Sequence, residues 1–121
     1  MPIRNYRDLI VWQKAMDLVT AIYQVTGTFP NDERFGLTSQ MRRAAISIPS
    51  NIAEGQGRDS SREFKHFLSI GYGSLCELQT QLLLSERLAF LDPQSLQSVL
   101  DRTDEVGRLL NGLSNSLVEK P

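Results

Sequence analysis

The sequence predicts an all-α protein, an up-down-up-down four-helix bundle, on three observations. Apolar residues recur at three- and four-residue steps through four segments, the spacing that gathers them on one face of a helix. Between the segments stand Gly, Pro, Asn and Asp, which stop helices and make turns. No segment alternates apolar and polar residues as a half-buried strand does.

The first segment can be capped by Asn5 and runs to about Thr26, where Gly27 and Pro30 end it and Phe29-Pro30-Asn31-Asp32 reads as a turn. Leu9, Val11, Trp12, Ala15, Met16, Leu18, Val19, Ile22, Tyr23 and Val25 cover an arc of about 200° on its wheel, whereas the surface helix of a monomer needs little more than about 100°. The excess predicts two neighbours for helix 1, and another subunit can be one of them.

Helix 2 is expected from Leu37 to about Glu54, with Leu37, Met41, Ala44, Ile48 and Ile52 on one narrow face. Pro49 lies inside it. A proline there removes the hydrogen bond to the Ala45 carbonyl and predicts a kink, the alternative being two shorter helices broken before Pro49. Gly55 and Gly57 stop the segment. Helix 3, about 60–88, opens on a capping box, Ser60 followed three residues later by Glu63. Phe64, Phe67, Leu68, Gly71, Leu75, Leu78 and Leu82 form its core face, and Gly71 admits a close neighbour. Helix 4, about 93–117, starts with Asp92 as cap and Pro93 at its first position. Val99, Thr103, Val106, Leu110, Leu113 and Leu117 follow at strict 4-3-4-3-4 spacing, a coiled-coil seam.

With 121 residues, 40% hydrophobic and 22% charged, the chain is expected to be one globular domain, 1–121. Its net charge is −1, which alone argues against a polyanion partner. The charge is uneven, however. Residues 1–65 hold nine Lys/Arg against seven Asp/Glu, and residues 66–121 hold four against seven, so any polyanion site belongs to the first half. One cysteine, Cys76, excludes an intrachain disulfide. No signal peptide pattern opens the chain and no run approaches the roughly 20 apolar residues of a membrane span. The expectation is a cytoplasmic protein.

Catalytic or metal chemistry has little to build on. His66 is the only histidine, and neither HxxxH nor CxxC occurs. His66 reads as a surface residue, and Cys76, beside Leu75, reads as packing rather than as a nucleophile. Gly55-Gln56-Gly57 lacks the Lys-Ser/Thr of a phosphate loop. An active site needs convergent titratable groups, and Glu54, Arg43 and Asn51 are the loose candidates. Neither a cofactor nor a small-molecule substrate is expected.

Two constellations remain. Arg42, Arg43, Arg58, Arg62 and Lys65 form a basic set able to contact phosphates. Alternatively, Glu54–Arg58 and Asp59–Arg62 pairs make it a solvated, salt-bridged surface. Gln40, Arg43, Ser47, Ser50, Asn51 and Glu54 form a polar stripe on helix 2, opposite Met41 and Ile52. Ser and Asn are indifferent helix formers, and small polar side chains suit close helix contacts. The stripe reads as a tight interface, within the bundle or between subunits, or as a ligand site.

The run Gln40-Met41-Arg42-Arg43-Ala44-Ala45-Ile46-Ser47-Ile48-Pro49-Ser50-Asn51-Ile52-Ala53-Glu54-Gly55 closely resembles the signature of the bacterial four-helix bundle proteins called 23S rRNA intervening-sequence, or S23, proteins. The resemblance extends through Leu9-x-x-Trp12, Phe29-Pro30, Glu33, Arg58, Phe64-x-x-Phe67-Leu68 and Gly73-Ser74-Leu75-x-Glu77-Leu78. It implies a bundle that assembles into a homopentameric barrel. The chain is also similar to the accessory variability determinant of diversity-generating retroelements, a strongly basic pentameric bundle that binds a reverse transcriptase and nucleic acid. The resemblance therefore implies a non-catalytic homo-oligomeric scaffold whose partners are itself and structured RNA or an RNA-binding protein. The rival is a protein-interaction adaptor with no nucleic-acid role.

Overall fold

The computed structural model describes residues 5–117. It contains α1 (Ile10–Thr26), α2 (Leu37–Gln56), α3 (Ser61–Arg87) and α4 (Pro93–Ser116), with short 3₁₀ turns at Tyr6–Asp8 and Asn31–Glu33. Each helix packs on the two adjacent to it in a closed cycle, α1 on α2 and α4, and α3 on α2 and α4. The diagonal pairs do not approach. Short connections between antiparallel neighbours give the up-down-up-down bundle.

The core is the set of side chains the periodicity selects. Leu18 and Ile22 of α1 meet Met41, Ile48 and Ile52 of α2, Leu68, Leu75, Leu78 and Leu82 of α3, and Val106 and Leu110 of α4, all fully buried. Each such side chain removed from water contributes about 1.5–3 kcal/mol before the entropy of ordering is subtracted. Thr103, at a seam position of α4, is also fully buried. Its hydroxyl is satisfied by donating to the Leu100 carbonyl at 2.7 Å and accepting from Gln79 Nε2 at 2.9 Å. Leu113 and Leu117 are only half-buried, so the seam loosens toward its end.

One expectation is corrected. The first helix begins at Ile10 rather than at Asn5. Asn5 does cap, accepting from the Arg7 amide at 2.9 Å, but it caps the turn Tyr6–Asp8. Leu9 then adopts extended backbone and sinks into the core, while Tyr6 folds back edge-on to Trp12 with centroids 5.4 Å apart. Burial of Leu9 and that ring contact outweigh one more helical turn. Helix 2 is one helix, unbroken through Pro49 and extended to Gln56, so the two-helix alternative is not found. Its neighbours hold it: Ile48, Pro49 and Ile52 are all buried.

The ends of α3 and α4 follow the sequence signals. Ser60 Oγ accepts from the Glu63 amide at 3.1 Å, and Asp92 Oδ1 accepts from the Ser95 amide at 2.8 Å. At the far end of α3 the amide of Ala89 donates to the Glu86 carbonyl and that of Phe90 to the Ser85 carbonyl. These two bonds make a Schellman cap. Phe90 then lies against Phe29 of the α1–α2 connection, centroids 5.6 Å apart.

Candidate functional site

The basic residues do not form one cluster. Arg42 is committed inside the molecule. Its Nε donates to Thr26 Oγ1 at 2.9 Å, its Nη2 to the Tyr23 carbonyl at 3.4 Å, and its guanidinium lies 4.3 Å from the Tyr23 ring centroid. A cation placed there also meets the negative end of the α1 dipole. Arg43, one residue on, points outward and is exposed.

Arg58, Arg62 and Lys65 sit at the opposite end of α2, about 20 Å away at 1.5 Å per helical residue. Gly57 closes α2 and Ser60 opens α3, so Arg58 lies in the connection. Its guanidinium folds back to 4.8 Å from the Phe67 ring centroid, and His66 stands edge-on to the same ring at 5.7 Å. Arg62 and Lys65 project from the first turns of α3. The anticipated Glu54–Arg58 and Asp59–Arg62 pairs do not form. Among the described residues the one ion pair is Lys14–Glu105, at 3.7 Å. Stacking on Phe67 takes Arg58 away from Glu54 and leaves three cations without a carboxylate partner at this end of the bundle.

The polar stripe of α2 also divides. Ser47 and Asn51 turn into the contact with α3. Ser47 Oγ and Ser74 Oγ are 2.8 Å apart, and Asn51 Nδ2 donates to the Ser47 carbonyl at 2.8 Å and to Ser47 Oγ at 2.9 Å. Just below, a Cβ on Gly55 would lie 2.7 Å from Phe67 Cβ and 2.9 Å from Phe64 Cδ1. Only glycine fits there. Gln40, Arg43, Ser50 and Glu54 remain exposed.

These positions assemble no catalytic group. Asn51 spends its amide on Ser47, while Arg43 and Glu54 stand exposed three turns apart. Cys76 is exposed rather than packed, because it falls on the outward side of Leu75. It lies about 15 Å along α3 from His66 at 1.5 Å per residue. Among the described residues no three His, Cys, Asp or Glu side chains are placed to hold a metal ion, and no helix is long and apolar enough to cross a membrane.

One feature escaped the motif reading. Trp12, Met16 and Val19 of α1 and Ile46, Pro49 and Ala53 of α2 border an apolar groove of about 350 Å³. The wide apolar arc of helix 1 was its sequence signal. The α2 wall had none, since Ile46 and Ala53 lie off the narrow core face.

Among curated proteins none matches the chain. Among solved structures, a protein of unknown function from the S23 ribosomal protein family of Bacteroides thetaiotaomicron VPI-5482 is similar in fold, with a TM-score of 0.82. The match covers 88% of this chain and 96% of that one at 22% identity. The family model described as 23S rRNA-intervening sequence protein matches residues 7–112. With that match running from before α1 into the last turns of α4, the chain belongs to the 23S rRNA-intervening sequence protein family.

Proposed function

We propose that the protein is a non-catalytic, cytoplasmic homo-oligomeric scaffold that contacts structured RNA, or an RNA-bound protein, through repeated copies of one basic patch. The patch is Arg58, Arg62 and Lys65, and the observation that carries the reading is that none of the three forms an ion pair among the described residues. Arg58, held with its guanidinium 4.8 Å from the Phe67 ring centroid, is preset for a phosphate. Arg43 adds charge at a distance, and Arg42 serves the fold.

A pentamer of 13.6 kDa chains has a mass of about 68 kDa, a closed ring of the kind most homo-oligomers form. Repetition matters physically: five weak patches acting on one polyanion gain avidity that a single patch lacks. The net charge of −1 then need not forbid binding, because the acidic excess lies in residues 66–121 rather than around the patch.

The test is a titration with a structured rRNA fragment at low and high salt, with light scattering on the same preparation. Binding that weakens steeply as salt rises is expected, from release of counterions by phosphate contacts. Absence of binding at low salt would end the RNA reading. The apolar groove would then favour the adaptor reading, in which a pull-down after nuclease treatment recovers one protein in stoichiometric amount. A stable monomer at micromolar concentration would end the scaffold reading.

A further inference from the structure

We infer that the α1–α2 groove of one copy holds the outer face of α3 of the next copy, so that a single repeated contact closes the ring. The inference deepens the assembly reading above and rests on it.

It starts from where the molecule keeps its charges. Residues 67–85 of α3 contain a single charged side chain, Glu77. Yet α3 turns a whole face to solvent there, with Ile70, Gly73, Cys76, Thr80, Leu83 and Leu84 all exposed, the two leucines by 48% and 46%. A Cβ on Gly73 would meet nothing within 4 Å. A solvated helix face is better served by Lys, Glu or Ala than by glycine and apolar residues. The groove is equally poor in charge, since residues 44–53 of α2 carry none. The outer face of α4, in contrast, presents Asp101, Arg102, Asp104 and Arg108. Two charge-poor surfaces, a groove and a ridge, thus lie on different sides of one bundle. Two unlike surfaces that meet on successive copies make a heterologous contact, which generates a ring when its rotation closes.

Charge complementarity selects a second copy as the occupant. The Ser47–Ser74 hydrogen bond and the approach of Gly71 to Asn51 set residue 47 of α2 level with residue 74 of α3. Rotation about an axis parallel to the bundle keeps every residue at its height. Arg43, exposed about one helical turn before Ile46 of the groove, therefore arrives beside Glu77 of the next copy, the sole charge on the ridge. Both are exposed, and among the described residues neither forms an ion pair. At the same heights Gly73 comes opposite Pro49, where the missing side chain lets the ridge seat on the groove.

Cysteine chemistry tests the contact. Cys76, the chain's one cysteine, lies on the ridge and level with Ile46 of the groove, itself 42% exposed. In Ile46→Cys, mild oxidation with oxidised glutathione is expected to give a ladder of covalent multimers on a non-reducing gel. Wild type and Ile46→Cys/Cys76→Ser are expected to stay single chains on that gel. A wild type that is oligomeric by light scattering, with no ladder from Ile46→Cys, would overturn this contact and leave the scaffold standing. A monomeric wild type would remove both. Independently, Arg43→Glu is expected to shift dissociation to at least tenfold higher protein concentration, and Arg43→Glu/Glu77→Arg to restore assembly. A double variant that dissociates as readily as the single would overturn the pairing.

Discussion

Ala89 carries a φ of 62°, the left-handed region that an L side chain enters only against steric resistance. It sits just past the end of α3, where a Schellman cap requires that conformation and glycine usually supplies it. Ala89→Gly is expected to raise stability by about 0.5–1 kcal/mol, offset in part by the greater freedom of an unfolded glycine, and thermal unfolding followed by circular dichroism checks it. At the start of α4 the Ser95 amide and hydroxyl hold the Asp92 carboxyl below its ordinary value of 3.8. A lowered folded value means that the cap contributes fully above the ordinary value and is lost as pH falls through the lowered one. The melting temperature should therefore fall on the acid side of 3.8, and fall less in Asp92→Asn, which keeps a capping oxygen that does not titrate.

Among the elements, α2 and α3 make the closest pairing. Gly55 against Phe64 and Phe67, Gly71 against Asn51, and Ser47 against Ser74 all lie along one line of contact. Small residues there let two backbones approach until hydroxyls meet directly. Gly55→Ala should separate the helices at their lower end, costing about 1–3 kcal/mol of overpacking against about 1 kcal/mol gained in helix propensity. The expected net loss of stability is read by denaturant titration. Because Arg58 lies against Phe67, the proposed RNA contact predicts that the same substitution also weakens binding when the bundle is still folded.

For the molecule as a whole, the distribution of charge matters more than its sum. At the α2–α3 end Arg58, Arg62 and Lys65 stand among Glu54, Asp59 and Glu63, with no ion pair between them among the described residues; acids and bases alternate on α4, and the groove and the α3 ridge carry almost no charge. A lone bundle in water has little use for such segregation, whereas a ring with one polyanion-binding rim uses each part. If the proposed patch holds RNA, Arg58→Glu/Arg62→Glu, which would remove two phosphate contacts per copy, is expected to weaken binding by at least tenfold on every RNA sequence alike and to flatten its salt dependence. Filter binding across several RNAs measures it, and unchanged affinity would assign the patch elsewhere.

Four helices, their core faces and the caps at Ser60 and Asp92 were legible in the sequence, because helical period and capping are local: each depends on residues within a turn or two. The same locality explains the misses. Nothing near Asn5 announces that Leu9 will break the helix to reach the core, and Ala89 carries none of the signal that a glycine would. Motif and spacing also placed five cations in one set, but only tertiary structure decided which were free. The C-terminus of α1 claims Arg42, the Phe67 ring turns Arg58 from Glu54, and Arg43 is left exposed. Those outcomes depend on surfaces brought together from separate helices, and a side chain's partner across such a contact is set by packing rather than by its neighbours in the chain.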